Sequence, residues 1–101
     1  MYSYIETKWA LNNKKLILKS YPKAVQSKLH YFISEILDAP RELNTVGSPE
    51  ELRHTNKELW SRELTRKDRI VYGIEPGANY GFPNEAEMIV FYQYLGHYDD
   101  K

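Results

Sequence analysis

Between residues 59 and 74 the chain alternates from one side to the other. Leu59, Ser61, Glu63 and Thr65 interleave with Trp60, Arg62 and Leu64, and Arg69, Val71 and Gly73 interleave with Ile70, Tyr72 and Ile74. A period of two over runs of this length predicts two half-buried strands, Leu59–Thr65 and Asp68–Glu75, paired as a hairpin through Arg66, Lys67 and Asp68. One face of such a sheet meets a core and the other meets water. Arginines and a glutamate on the open face are then either solvated or functional.

The same reading extends over the rest of the chain. Tyr2–Thr7 is aromatic and β-branched and reads as a strand. A helix follows from about Lys8 to Lys19, with Leu11 and Leu18 one heptad apart; Asn12 and Asn13 weaken it, because asparagine competes for backbone hydrogen bonds. Pro22 suits the first turn of a second helix, with Ser20 or Tyr21 where its cap would stand. Val25, Leu29, Phe32 and Ile36 recur at spacings of four, three and four, one helical face ending near Asp38. Ala39-Pro40 stops it. Residues 39–48 form a loop closed by the turn signal Gly47-Ser48-Pro49. Ser48 with Glu51 also matches a capping box, which would make Glu50 and Glu51 first-turn carboxylates favoured by the helix dipole. Residues 76–86 form a long loop with two Gly and two Pro, and Glu87–Leu95 is a strongly apolar strand expected inside the sheet. Gly96 ends it, and His97-Tyr98 follow. The order β-α-α-β-β-β describes one α+β domain over 1–101, two N-terminal helices packed on a mainly antiparallel sheet.

Composition narrows the chemistry. There are no cysteines, which removes disulfides, thiolate metal sites and a cysteine nucleophile, and suits a reducing cytoplasm. No apolar run is long enough to span a membrane, and Lys8, Lys14, Lys15 and Lys19 interrupt any signal-peptide core. Net charge is zero, which speaks against indiscriminate nucleic-acid binding. Its distribution is uneven: residues 1–40 hold six Lys against three Asp/Glu, and residues 76–101 hold one Lys against four Asp/Glu. A basic N-terminal part and an acidic C-terminal part fit a polyanion on one side and a cationic partner on another, as well as two plainly solvated faces.

His30, His54 and His97 stand in no metal-ligand spacing, and phosphate-loop, HExxH and nucleophile-elbow motifs are missing. What remains is an acid/base set: Glu50, Arg53, His54, Arg62, Arg69, His97 and Tyr98. Cleaving RNA through its own 2′-hydroxyl needs a base, cations for the phosphorane and an acid for the leaving oxygen. Aromatic rings such as Trp60 can stack splayed bases. Structural alternatives stay open for each. His97 suits a surface histidine past a strand end, Trp60 suits the core, and Arg62 and Arg69 suit cross-strand partners of Glu63 and Asp68.

Pro49-Glu50-Glu51-Leu52-Arg53-His54, Trp60-Ser61-Arg62, Arg69-Ile70-Val71-Tyr72 and His97-Tyr98 together resemble the Txe/YoeB family of toxin endoribonucleases, in the RelE/ParE superfamily. The match runs without gaps from Pro49 to Tyr72; over residues 1–48 it rests on element order. The resemblance implies a RelE-like fold and a ribosome-dependent mRNA interferase that cuts A-site codons without metal or other cofactor. It implies a cognate antitoxin of the YefM/Axe kind, the bacterial ribosome and mRNA as partners, and the homodimers common in the family. By position, Glu50 resembles the general base, Arg69 the transition-state cation, His97 the general acid or a phosphate-orienting group, and Tyr98 a stacking or positioning residue. Arg53, His54, Arg62 and Trp60 fall where RNA contacts are expected. ParE-like members, which poison gyrase, lack this Glu/Arg/His set; a degenerate binding module on the same fold is the other alternative. The departures are specific. Glu63 stands where the family has a second arginine after Trp-Ser-Arg, the 76–86 connection is longer than usual, and Asp99-Asp100-Lys101 follow the terminal tyrosine.

Overall fold

The computed structural model describes residues 1–53 and 56–97. The elements are β1 (Tyr4–Glu6), α1 (Lys8–Ser20), α2 (Lys23–Asp38), β2 (Glu50–Leu52), β3 (Glu58–Thr65), β4 (Asp68–Glu75), a 3-10 turn (Gly77–Tyr80) and β5 (Met88–Gln93). The five strands lie in the order β1-β5-β4-β3-β2. β1 runs parallel to β5 and the other three pairings are antiparallel. The fold is thus α+β, with two helices on one face of a mixed, mainly antiparallel sheet. The strongly apolar β5 lies inside the sheet, between β1 and β4.

α2 packs on the face its spacing predicts, whereas α1 packs on a different face from the one its leucines suggest. Thr7 caps α1, its Oγ1 accepting from the Ala10 N–H at 3.1 Å and donating to the Tyr92 carbonyl at 3.0 Å. Pro22 stands at the cap position of α2, one residue before its first turn. The buried stripe of α1 is Ala10 and Ile17, and Leu11 and Leu18 face outward at 42% and 58% exposure. Both pairs share the same heptad spacing, so the spacing was right and the phase was not. Asn13 sits on the inner side: its Oδ1 accepts from the Tyr94 and Leu95 N–H groups at 3.0 and 3.2 Å. It weakens a helix in isolation but here satisfies the backbone just past β5. On α2, Leu29, Phe32, Ile36 and Leu37 are buried and Val25 packs at the edge of the core.

The alternation of β3 and β4 resolves as expected into two faces. Trp60, Leu64, Ile70, Tyr72 and Ile74 join Ile89 and Phe91 in the core under the helices. Ser61, Glu63, Arg69 and Val71 occupy the other face. Asp68 opens β4 rather than belonging to the link, pairing with Thr65 across the turn.

β2 is a strand that the capping-box pattern at Ser48 and Glu51 did not suggest. A helix N-cap needs extended backbone, and Ser48 has φ 47° after Gly47 at φ 96°. Two successive left-handed residues turn the chain so that Glu50 and Leu52 pair with Ser61 and Leu59. Glu50 and Glu51 are therefore strand residues, not first-turn carboxylates. The 76–86 connection contains the 3-10 turn and helps cover the far end of the second face. Glu75, only 5% exposed there, accepts from Tyr80 Oη at 2.6 Å and from the Tyr92 hydroxyl.

Candidate active site on the open sheet face

Glu50, Ser61 and Val71 stand side by side across β2, β3 and β4. Two residues further along, Glu63 opposes Arg69 on the same face. The Arg69 guanidinium is fixed from below and from the side. Its Nε donates to Ser61 Oγ at 2.9 Å, and Nη2 donates to the Ser48 carbonyl at 3.1 Å. Ser61 is fully buried and gives that contact a rigid floor. Carboxylates flank the cation on both sides: Glu50 Oε1 lies 3.7 Å from Nη2 and Glu63 Oε1 lies 3.9 Å from Nη1. The Arg69 side chain is 16% exposed, whereas Glu50 is 62% and Glu63 45% exposed. A cation anchored by neutral acceptors and only loosely paired with exposed carboxylates keeps capacity for an incoming anion.

The C-terminal end of the chain reaches this cation through its backbone. The Arg69 N–H donates to the Gly96 carbonyl at 2.9 Å, and the Gly96 N–H donates to Asp68 Oδ1 at 2.9 Å. Asp68, 5% exposed, also accepts from Thr65 Oγ1 at 2.7 Å and Tyr21 Oη at 3.3 Å. This clamp fixes the Gly96 backbone against that of Arg69, and His97, the next residue, is exposed. Asp68→Asn replaces one acceptor oxygen by a donor. It is expected to cost about 1–2 kcal/mol, seen as a drop of about 4–8 °C in Tm per kcal/mol. An unchanged Tm in thermal denaturation would show that the clamp contributes nothing.

The structure thus brings Glu50 and Arg69 together, and His97 follows the Gly96 backbone that is bonded to the Arg69 N–H. Arg53 is exposed directly after β2. His54 and Tyr98 lie outside the described residues. Trp60 and Arg62 are on the opposite face and do not fit the RNA-contact role. Trp60 is 5% exposed with its indole N–H donating to Glu58 at 2.9 Å, so its ring is core and not a base platform. Arg62 is 2% exposed, stacked 3.7 Å from the Phe32 ring centroid and ion-paired to Glu35. Ser61, the Ser48 carbonyl and Asp68 are the contributors that sequence reasoning passed over. Ser61 lies in the Trp-Ser-Arg motif at the same parity as Glu63, which was its available signal.

Arg62 also contributes to the acid response of the fold. Its hydrogen bond, more than any other influence, holds the Glu35 carboxyl below its ordinary value of 4.5; burial works against that. A folded-state pKa below the unfolded one gives stability that is fully present above pH 4.5 and is lost as pH falls through the lower folded-state value. Tm measured down an acid series is expected to fall less steeply in Glu35→Gln than in the native chain. Parallel curves would remove Glu35 from the acid response.

An anchored arginine thus stands between two carboxylates on an open sheet face, in a small α+β domain backed by two helices. The chain belongs to the YoeB-like toxins of bacterial type II toxin–antitoxin systems, whose family model matches residues 7–98. No curated protein sequence matches it. Among solved structures, it is similar to a YoeB/ParE toxin from Agrobacterium tumefaciens, with TM-score 0.75 and 19% identity over 95% of this chain and 99% of that one. The YoeB dimer from Staphylococcus aureus has TM-score 0.71 and 20% identity, over 96% of this chain and 98% of that one. The YoeB–YefM complex from Staphylococcus aureus has TM-score 0.67 and 20% identity, over 97% and 99%. Among the described residues no helix is long and apolar enough to cross a membrane.

Proposed function

We propose that this toxin is an endoribonuclease that cleaves messenger RNA in the ribosomal A site and so arrests translation. The observation that carries the reading is the placement of Glu50 beside an Arg69 held by Ser61 and the Ser48 carbonyl. Glu50 takes the proton from the 2′-hydroxyl of the nucleotide before the cut. The 2′-oxygen attacks the adjacent phosphorus and Arg69 stabilises the added charge of the phosphorane. The P–O5′ bond breaks, and His97 gives a proton to the leaving 5′-oxygen. The products are a 2′,3′-cyclic phosphate and a free 5′-hydroxyl. The charge role that a metal plays in other nucleases falls here to Arg69. Arg53 contributes to phosphate binding; Tyr98 and His54 are assigned to the RNA by their positions in the motifs.

The exposure of Glu50 supports ribosome dependence, because an open face gains reactivity when another body fixes the substrate against it. An activity on the ribosome would act in the cytoplasm. The Staphylococcus aureus relatives include a dimer and a complex with YefM. We extend both modes to this chain, with a cognate antitoxin of that kind as the partner. Trp9, Leu16 and Leu18 on α1, 63%, 48% and 58% exposed, offer apolar surface for such contacts.

Induction of the toxin without antitoxin, followed by primer extension on ribosome-bound message, tests the reading. Cuts within A-site codons that vanish in Glu50→Ala are expected. Arrested growth with intact messages would point instead to a bound target, as for ParE-like toxins. Normal growth with intact messages would favour a degenerate module. The specific observation on that side is Glu63, an anion within 3.9 Å of the cation that must meet phosphate.

A further inference from the structure

Arg62 is the most deeply buried cation near the site, yet it faces away from the open sheet surface. Its contacts converge on one segment. Nε donates to the Val46 carbonyl at 2.6 Å and Nη2 donates to Thr45 Oγ1 at 3.1 Å, while the same Nη2 pairs with Glu35 of α2. The guanidinium lies flat against Phe32, also from α2. The neighbouring Glu63 N–H donates to the Gly47 carbonyl at 2.7 Å. Gly47 touches this brace so closely that a Cβ there would sit 2.9 Å from both Arg62 Cγ and the Phe32 ring. Residues 45–48 are thus pressed onto Arg62. The far end of that segment is the site: the Ser48 carbonyl receives Arg69 Nη2, and Glu50 starts β2 two residues on.

We infer that Arg62 is a positioning residue for the cleavage reaction. It holds loop 45–48 against α2, and the loop in turn sets the Arg69 guanidinium and the entry of Glu50 into the sheet. The inference rests on the nuclease reading for its kinetic part only; the geometric part stands by itself. The planar fork is essential to it. One guanidinium reaches a backbone carbonyl, a hydroxyl and a carboxylate in different directions while stacking on a ring, which a lysine ammonium on a flexible stem does not reproduce. Glu35, with Thr45 donating to it at 3.2 Å, closes the set from the helix side.

The test pairs a spectroscopic readout with kinetics. In the folded full-length toxin, the ¹⁵N–¹H signal of Arg69 Nε reports its hydrogen bond to Ser61. Arg62→Lys is expected to shift or broaden that signal. It is also expected to lower kcat on ribosome-bound message by about tenfold or more while KM changes by less than about twofold, as loss of alignment does. Thr45→Val, a milder change, is expected to move both readouts in the same direction by less, and it decides the matter if Arg62→Lys does not fold. Ile17→Val, a core trim on α1 remote from the loop, is expected to lower Tm without altering the Arg69 signal or kcat. An unchanged Arg69 signal and kcat in Arg62→Lys or, where that does not fold, in Thr45→Val would overturn the inference. So would an equal loss of kcat in Ile17→Val. Absence of cleavage by the native chain would sink the nuclease reading alone, since the Arg69 signal still tests the brace.

Discussion

Arg69→Ala is expected to lower cleavage of ribosome-bound message by about two orders of magnitude or more, and Glu50→Ala by a similar factor. A hundredfold loss corresponds to about 2.7 kcal/mol of transition-state stabilisation. That magnitude follows from where Arg69 sits. Its guanidinium is pre-placed by Ser61 and the Ser48 carbonyl, so little reorganisation is needed when phosphorane charge develops. Arg69→Lys keeps the charge but loses the two-direction anchorage, and is expected to recover only part of the rate. In the proposed mechanism Glu50 is a proton acceptor rather than an anchor, so Glu50→Gln should match Glu50→Ala. Primer extension and single-turnover rates measure all four variants. Rates near the native value for Arg69→Ala or for Glu50→Ala would remove that residue from the mechanism.

The sheet was legible because its period is two over long runs. β3 and β4 appear within a residue of their expected bounds, with the expected faces. β2 escaped because three residues carry no period, and because the Ser48-Pro49 sequence imitates a helix start. Only the backbone shows that Gly47 and Ser48 turn left-handed. In α1 the large residues lie at two phases of the helix, and the smaller pair, Ala10 and Ile17, is the one that fits against β5.

For the site, Glu50, Arg69 and His97 were carried by motif; the sheet brings Glu50 beside Arg69, and the Gly96 carbonyl before His97 accepts from the Arg69 N–H. Arg62 shows the opposite case. The alternation itself put it with Trp60 and Leu64, the core parity, and burial of an arginine with Glu35 and Phe32 agrees with that signal rather than with the RNA role. Asp68 illustrates what a sequence leaves out. Thr65 is three residues away, but its other two partners come from the segment between the helices and the chain past β5, and nothing local announces those.

Glu63→Arg is expected to raise kcat/KM by about 10- to 100-fold. The position opposes Arg69 directly, and its Oε1 lies 3.9 Å from Nη1. An RNA phosphate approaching Arg69 must therefore displace or oppose this carboxylate. Two unit charges near 4 Å interact by about 1 kcal/mol in water and about 4 kcal/mol at a partly shielded surface. At 45% side-chain exposure the lower part of that range applies. Reversal acts twice, removing a competing anion and adding a cation, which gives about 1–3 kcal/mol. Glu63→Gln removes the anion without adding a cation and should give the smaller half of the gain. The salt dependence separates charge from packing: the advantage of Glu63→Arg should shrink as ionic strength rises, because exposed phosphate contacts are screened. A gain that is constant with salt would assign the effect to altered strand packing. No gain in either variant would mean that Glu63 turns away when RNA binds, leaving Arg69 fully available in the complex.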